Sequence, residues 1–295
     1  MKFPIPTAAL LAGMAIAPAF AATPIDETRP LDPRGNLEVS NVKGRIEVRA
    51  WDRPEVHITG SLGDGVERLQ IEGDRNSLEV RVRYPRNGRN AEPTTLLLSV
   101  PRQVDLEIEG VAVDIDVAGV AGGELDISSV SGEVVAVGAP READIGSVSG
   151  NLQLNLNSHK LDLESVSGNV SLRGRIDGEI SAETVSGDIR IETRGEAARR
   201  LSTSSVSGNA SYTGGLAEGG RISAESVSGD IRLALPESLS ARVHAESFSG
   251  DLRAPGARID KPKYGPGSSF EHTYGSGSGE IHVETFSGSA ELVLE

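Results

Sequence analysis

The sequence predicts an all-β chain: a β-solenoid of stacked coils, each 18–21 residues long, joined to a β-rich N-terminal capping region. Three observations lead there. A Ser-Val-Ser-Gly tetrapeptide recurs at near-constant spacing. Apolar and polar residues alternate on both sides of each copy, the period of a half-buried strand. Glycine supplies 35 of 295 residues while aromatics make up 3%. A helical bundle would avoid glycine, which weakens a helix by about 1 kcal/mol per residue relative to alanine.

The repeat carries most of the information. Its copies are Ser129-Val130-Ser131-Gly132, Ser147-Val148-Ser149-Gly150, Ser165-Val166-Ser167-Gly168 and Thr184-Val185-Ser186-Gly187. Then follow Ser205-Val206-Ser207-Gly208, Ser226-Val227-Ser228-Gly229, Ser247-Phe248-Ser249-Gly250 and Thr285-Phe286-Ser287-Gly288. Successive glycines lie 18, 18, 19, 21, 21, 21 and 38 residues apart, the last being two periods of 19. Before the copy at 165 stand Leu161 and Leu163; after it come Val170 and Leu172. Each period therefore reads as strand, sharp turn, strand, return. These glycines are expected to be the turn residues, with positive φ, since Asp or Asn often follows. A β-sandwich also has many short strands, but it does not require one tetrapeptide at one phase, whereas stacked coils turn like residues into ladders.

Two weaker copies extend the array backwards. Asn41-Val42-Lys43-Gly44 lies between alternating segments, and Gly110-Val111-Ala112-Val113 places Val113 in the glycine slot, 19 residues before Gly132. The expected organisation is a signal peptide at 1–21, an N-terminal β-rich capping region at 22–110, and solenoid repeats at 111–295. Residues 254–279 hold Pro255, Pro262, Pro266 and several glycines, and read as an insertion: an enlarged coil or projecting loop. A cap is expected because a bare solenoid end is an open strand edge.

The address is read from the first residues. Lys2, the apolar run Ala8–Ala17 and Ala19-Phe20-Ala21 have the form of a cleavable export signal, cut after about Ala21. No later run approaches the roughly 20 apolar residues of a transmembrane helix, so the mature chain is expected to be periplasmic or secreted. Basic residues number 29 and acidic residues 43, a net charge of −14. That balance argues against a nucleic-acid partner, whose phosphates are held by Lys and Arg. With no cysteine, the chain has no disulfide, thiol nucleophile or Cys-ligated zinc.

The repeated S-V-S-G-[DN]-[IV] motif resembles the bacterial "putative adhesin" family, a β-strand-repeat domain of unknown function. The segment Gly44-Arg45-Ile46-Glu47-Val48 with Trp51-Asp52, and Val100-Pro101 before the first coil, carry the same likeness. It covers roughly residues 35–295. The resemblance implies an exported envelope protein and transfers no catalytic residue.

The columns that stacking would create are weighed next. The residue after each turn glycine gives Glu133, Asn151, Asn169, Asp188, Asn209, Asp230, Asp251 and Ser289. A row of oxygens suits Ca²⁺, but Asn and Asp are also ordinary turn residues, and turn chemistry is the expectation. Glu164, Glu183, Glu225, Glu246 and Glu284 precede the turn and Arg190, Arg232 and Arg253 follow it, as outward charges. The motif serines are read as structural, since a nucleophile needs a base within reach. His244 and His282 share a phase, and with His272 in the nearby insertion they form a candidate set of metal ligands, though surface histidines are the expectation. Phe248 and Phe286 fill the motif's Val position and are expected in the core. Tyr264, Phe270 and Tyr274, in the insertion, are the candidate ligand-binding residues, offering rings on which a sugar stacks.

The function expected is an exported, non-enzymatic cell-envelope scaffold or adhesin-like surface, with no cofactor. Its partner is an envelope polysaccharide, an envelope protein, or a second copy through self-association. The alternatives are an envelope-stress signalling component that binds a protein, and a polysaccharide-active β-helix enzyme. The enzyme reading needs a singular pair of carboxylates, for which only Asp260 and Glu271 stand out.

Overall fold

The computed structural model describes residues 23–86 and 90–295. The expected signal peptide at 1–21 lies outside the described residues. Among these, 22 strands form an all-β fold with repeated sheet elements.

The repeats pair in two parallel ladders. The first uses the segment before each motif. It runs through the first half of β2 (Asn36–Trp51) and β7 (Asp105–Ala118), then β8 (Glu124–Ser131), β10 (Glu142–Ser149) and β12 (Ser158–Ser167). It continues through β14 (Ile176–Ser186), β15 (Ile189–Ser207) and β16 (Ala210–Ser228). The second uses the segment after each motif. The second halves of β2 and β7 lead to β9 (Val134–Gly138), β11 (Leu152–Leu156) and β13 (Val170–Gly174), then back to β15 and β16.

Register is kept so that like stacks on like. Leu37, Leu106, Leu125, Ala143, Leu161, Ile180, Leu201 and Ile222 form one inward column, all at most 4% exposed. Ile115, Val134, Leu152, Val170 and Ile189 do the same in the second ladder. Each such Leu, Ile or Val contributes about 1.5–3 kcal/mol by leaving water. The two inward faces share one apolar cluster.

At the N-terminal end the strands change sense. The first half of β2 also pairs with β5 (Ser77–Arg83), which pairs antiparallel with β4 (Arg68–Gly73). Its second half pairs with β6 (Thr94–Pro101), followed antiparallel by β3 (Glu55–Leu62) and β1 (Thr23–Pro30).

The C-terminal end departs from the expected order. Strand β16 is not followed in the first ladder by β18 (Ala241–Ser247), its successor in the chain. It pairs with β21 (Gly279–Thr285), and β18 lies on the far side of β21. The second ladder repeats the exchange, with β22 (Ala290–Leu294) between β17 (Ile231–Leu235) and β19 (Leu252–Arg253). The last repeat in the chain is thus next to last in space. The intervening segment supplies β20 (Ser268–Tyr274), antiparallel on the outer edge of β18, and a further bridge between Asp260 and Ser269. Antiparallel strands therefore follow the parallel array at both ends.

The turn glycines owe their identity to crowding. Of the eight predicted, only Gly132 has φ in the left-handed region, at 120°; Gly150, Gly168, Gly187, Gly208, Gly229, Gly250 and Gly288 do not. The expected positive φ is corrected by a different constraint. A Cβ on Gly150, Gly168, Gly187, Gly208 or Gly229 would overlap the carbonyl oxygen of the preceding repeat's glycine. On Gly288 it would strike Gly229, and on Gly250 it would strike Gly288, following the exchanged order.

The column after the glycine ties the repeats together. Asn151 Oδ1 accepts the N–H of Asn169 at 3.0 Å, and Asn169 Oδ1 that of Asp188 at 2.9 Å. Asp188 does the same for Asn209 at 2.9 Å, Asn209 for Asp230 at 3.0 Å, and Asp230 for Ser289 at 2.8 Å. Each net contribution is about 0.5–1.5 kcal/mol. These residues serve the neighbouring repeat's backbone rather than their own.

Gly187→Val is expected to destabilise the fold by about 1–3 kcal/mol or more through this overlap. Glu183→Ala, at an exposed position, should stay within about 0.5 kcal/mol of the parent. Chemical denaturation of the two variants checks this, and equal midpoints would remove close approach as the reason for glycine.

Candidate binding surface

Alternation through the motif sorts its residues by face. The first Ser or Thr of each copy points inward and is buried, with Ser129, Ser147, Ser165, Thr184, Ser205, Ser226, Thr285 and Ser247 at 6% exposure or less. Ser165 Oγ donates to the Gly168 carbonyl at 3.2 Å and Ser247 Oγ to that of Gly288 at 3.1 Å. The hydroxyls of the other six have no hydrogen-bond partner among the described residues.

The Val position points outward. Its residues, in spatial order, are Val42, Val111, Val130, Val148, Val166, Val185, Val206, Val227, Phe286 and Phe248. All are between 45% and 56% exposed. The core placement expected for Phe248 and Phe286 is therefore corrected: the two rings stand on the surface, stacked 4.7 Å apart and 6° from parallel. Their phase explains it. Counting by twos from the inward Ala245 or Val283 brings Ser247 and Thr285 inside, and the Phe residues outside. Ten apolar side chains at about 4.8 Å per strand make a continuous ridge about 43 Å long.

Beside most of the valines runs a groove of about 830 Å³. Glu109, Glu164 and Glu183 line it, with Ser128 and Gly146 between them leaving the wall low. One column further out, register aligns Glu38, Glu107, Asp126, Asp144 and Asp162 on adjacent strands. Desolvation first, then the neighbouring carboxylates, raises Glu107, Asp126 and Asp144 above the ordinary carboxylate range. Among the described residues none of these three forms an ion pair. Asp116, on the other sheet face, is the opposite case. Arg49 donates to it at 2.9 Å and holds its carboxyl below the usual range. Like charges directly opposite on neighbouring strands are destabilising, so Glu107, Asp126 and Asp144 form a negative strip beside an apolar ridge, with Glu38 at its end paired to Arg81 at 3.0 Å.

The three candidate ligand-binding residues are not brought together. Phe270 is 4% exposed and part of the core, so it offers no ring face to a ligand. Tyr274 packs against the core, and its hydroxyl donates to the Pro255 carbonyl at 2.7 Å. Tyr264 is 84% exposed, with the Lys263 ammonium 5.5 Å from its ring centre. His244 and His282 stack at 5.4 Å on the outer face. His272 is placed opposite the buried Val243 and meets Tyr274 edge-on, away from that pair. Among the described residues no group of three or more His, Asp or Glu is arranged to hold a metal ion. The arginine column behaves as an outward charged row, in which Arg232 pairs with Glu291.

A family profile described as Toastrack DUF4097 matches residues 34–218 and 215–292. The chain belongs to this toastrack family. No curated protein matches it. Among solved structures, a "putative adhesin" from Parabacteroides distasonis is similar at 14% identity, with a TM-score of 0.54 over 92% of this chain and 98% of that one. A "putative lipid binding protein" from the same organism is similar at 12% identity, with a TM-score of 0.51 over 92% and 97%. At such identities the likeness is one of fold, and the toastrack match agrees with the resemblance read from the repeats.

The strip of carboxylates has a testable cost. Because the folded state raises the pKa of Asp126, it holds that proton more tightly than the unfolded chain does. The unfavourable term is therefore absent in acid and grows as pH rises through the carboxylate range. Asp126→Asn should raise stability at pH 7 by a few tenths of a kcal/mol. The gain should shrink toward pH 3 and with added salt. Denaturation curves at several pH values decide it; a variant less stable than the parent at pH 7 would contradict the reading.

Proposed function

We propose that this protein is an exported, non-enzymatic scaffold of the bacterial cell envelope, on which a partner docks along the valine ridge. The single observation that carries the reading is the unbroken outward ladder from Val42 to Phe248. Monomeric proteins rarely expose apolar side chains contiguously over such a length, and where they do the patch is commonly an interaction surface. The in-register pairing of each repeat with the next supports a solenoid winding, with residues 22–110 as its N-terminal cap and 111–295 as its coils. Such an array gives a long, rigid face suited to recognition.

Export rests on the signal-like residues 1–21. No helix among the described residues is long and apolar enough to cross a membrane. The enclosure of the motif hydroxyls and the regular spread of carboxylates favour binding over catalysis. The similar Parabacteroides distasonis protein described as a "putative adhesin" agrees with a surface role. The partner proposed is an envelope polysaccharide or an envelope protein.

The test is co-sedimentation of the purified mature chain with peptidoglycan, outer-membrane vesicles and exopolysaccharide. Binding to one fraction is expected, reduced at least tenfold by the paired substitutions Val166→Asp and Val185→Asp. These positions are exposed, so the fold should survive. Binding that the double variant retains in full, or binding to none of the fractions, would sink the docking role of the ridge.

A further inference from the structure

The ridge ends in a ring whose far side is open. Phe286 has Val227 on one side and Phe248 on the other, so both of its faces are covered along the stack. Phe248 has Phe286 on one side only. On its other side the antiparallel strand β20 takes over. The pairing of Ser247 with Ser268 brings Gly267, with no side chain, to the next position of the same column. The space a Cβ would enter at Gly267 is open, its nearest neighbour being the Ser247 carbonyl oxygen at 3.7 Å. Pro262, two residues beyond the bridge between Asp260 and Ser269, lines the same cleft as Gly267 and Phe248. The position one strand spacing beyond Phe248 is thus free of a side chain at Gly267. One ring fits over the open face of Phe248 at stacking distance.

This slot belongs to a cleft of about 660 Å³, and its polar lining is mixed. Glu246, Glu284 and Asp260 offer acceptors, Lys261 offers an ammonium, and Ser269 a hydroxyl. Lys261 already donates to Asp251 at 3.2 Å. An anionic ligand would face three carboxylates, and a cationic one would find each of them with a basic neighbour in place: His244 beside Glu246 at 3.0 Å, His282 beside Glu284 at 3.8 Å and Arg258 beside Asp260 at 3.7 Å. A neutral polyhydroxylated ring meets neither objection. Its hydroxyls both donate and accept, and its C–H face stacks on an aromatic ring.

We propose that the slot over the open face of Phe248 binds one pyranose unit of a neutral saccharide. The unit extends the ring stack by one position, with Glu246 and Asp260 accepting from its hydroxyls. The two aromatic residues of the ten-residue ladder stand at this end, beside the one break in repeat order among the described residues. The proposal does not depend on docking along the valine ridge, because its contacts come from the far end and from the segment 260–269.

The experiment is saturation-transfer NMR of the full mature chain with maltohexaose, mannotetraose, galactotetraose and N-acetylchitotetraose at millimolar concentration, with arginine amide as the cationic comparison. Transfer to the ring protons of at least one sugar is expected. Phe248→Ala and, separately, Gly267→Leu should each weaken it at least tenfold, the second by filling the slot. Because Gly267 holds φ at 111°, a conformation strained for leucine, Ser269→Trp, which fills the same cleft from within strand β20, should weaken it alike. Phe248→Tyr should retain it, and the Val166→Asp, Val185→Asp variant should leave it unchanged, which separates this site from the ridge. No transfer to any of the four sugars would overturn the proposal. So would transfer that survives both Phe248→Ala and Gly267→Leu, or a stronger response to arginine amide than to every sugar.

Discussion

Successive repeats approach so closely at the bend that a glycine carbonyl oxygen fills the place a side chain would need, and most of the structure follows from that contact. It requires glycine in seven consecutive positions of the spatial column from Gly150 to Gly250. It also holds the repeats in register, since a slip by one residue would put a side chain against that oxygen. With register set, the asparagine and aspartate oxygens meet the next repeat's N–H groups at 2.9–3.0 Å from Asn151 to Asp230. The same register places leucine over leucine inside and valine over valine outside. Val113 is the instructive exception. It occupies the column with a buried side chain, and both its neighbours, Gly44 and Gly132, take positive φ.

The repeats, their period and the alternation of faces were legible because each is a local property of a short stretch of chain. The outward placement of Phe248 and Phe286 was legible by phase, yet their apolar character argued for the core. Phase prevails because an inward ring would break the column of small buried hydroxyls at Ser247 and Thr285. The alignment of Glu107, Asp126, Asp144 and Asp162 follows from spacings of 19, 18 and 18 residues, so it too lay in the sequence. Their desolvation did not, since it arises from strands on either side together.

The exchange of the last two repeats could not be read. Residues 241–253 and 279–294 carry the same signals: His and Glu before the motif, Phe within it, apolar alternation after it. Either would pair with β16 on local grounds. What distinguishes them is the segment between, which supplies β20 to the outer edge of β18 and so makes β18 the outer partner. That choice also decides the candidate site. Phe270 is drawn inward by pairing with Ala245, while Gly267 comes beside Phe248 and Pro262 lines the same cleft.

Because the final residues occupy an interior berth, the order in which the protein is made differs from the order in which it can be finished. A chain synthesised N-terminus first can stack its early repeats as they appear. It cannot close the far end, because β21, which belongs between β16 and β18, emerges after both. Until β21 and β22 arrive, β16, β17, β18 and β19 each have an unpaired edge, and the aromatic end of the ridge is unassembled. Loss of β22 would leave a gap within the array, so a chain cut before it is marked by an open seam rather than by a shorter stack.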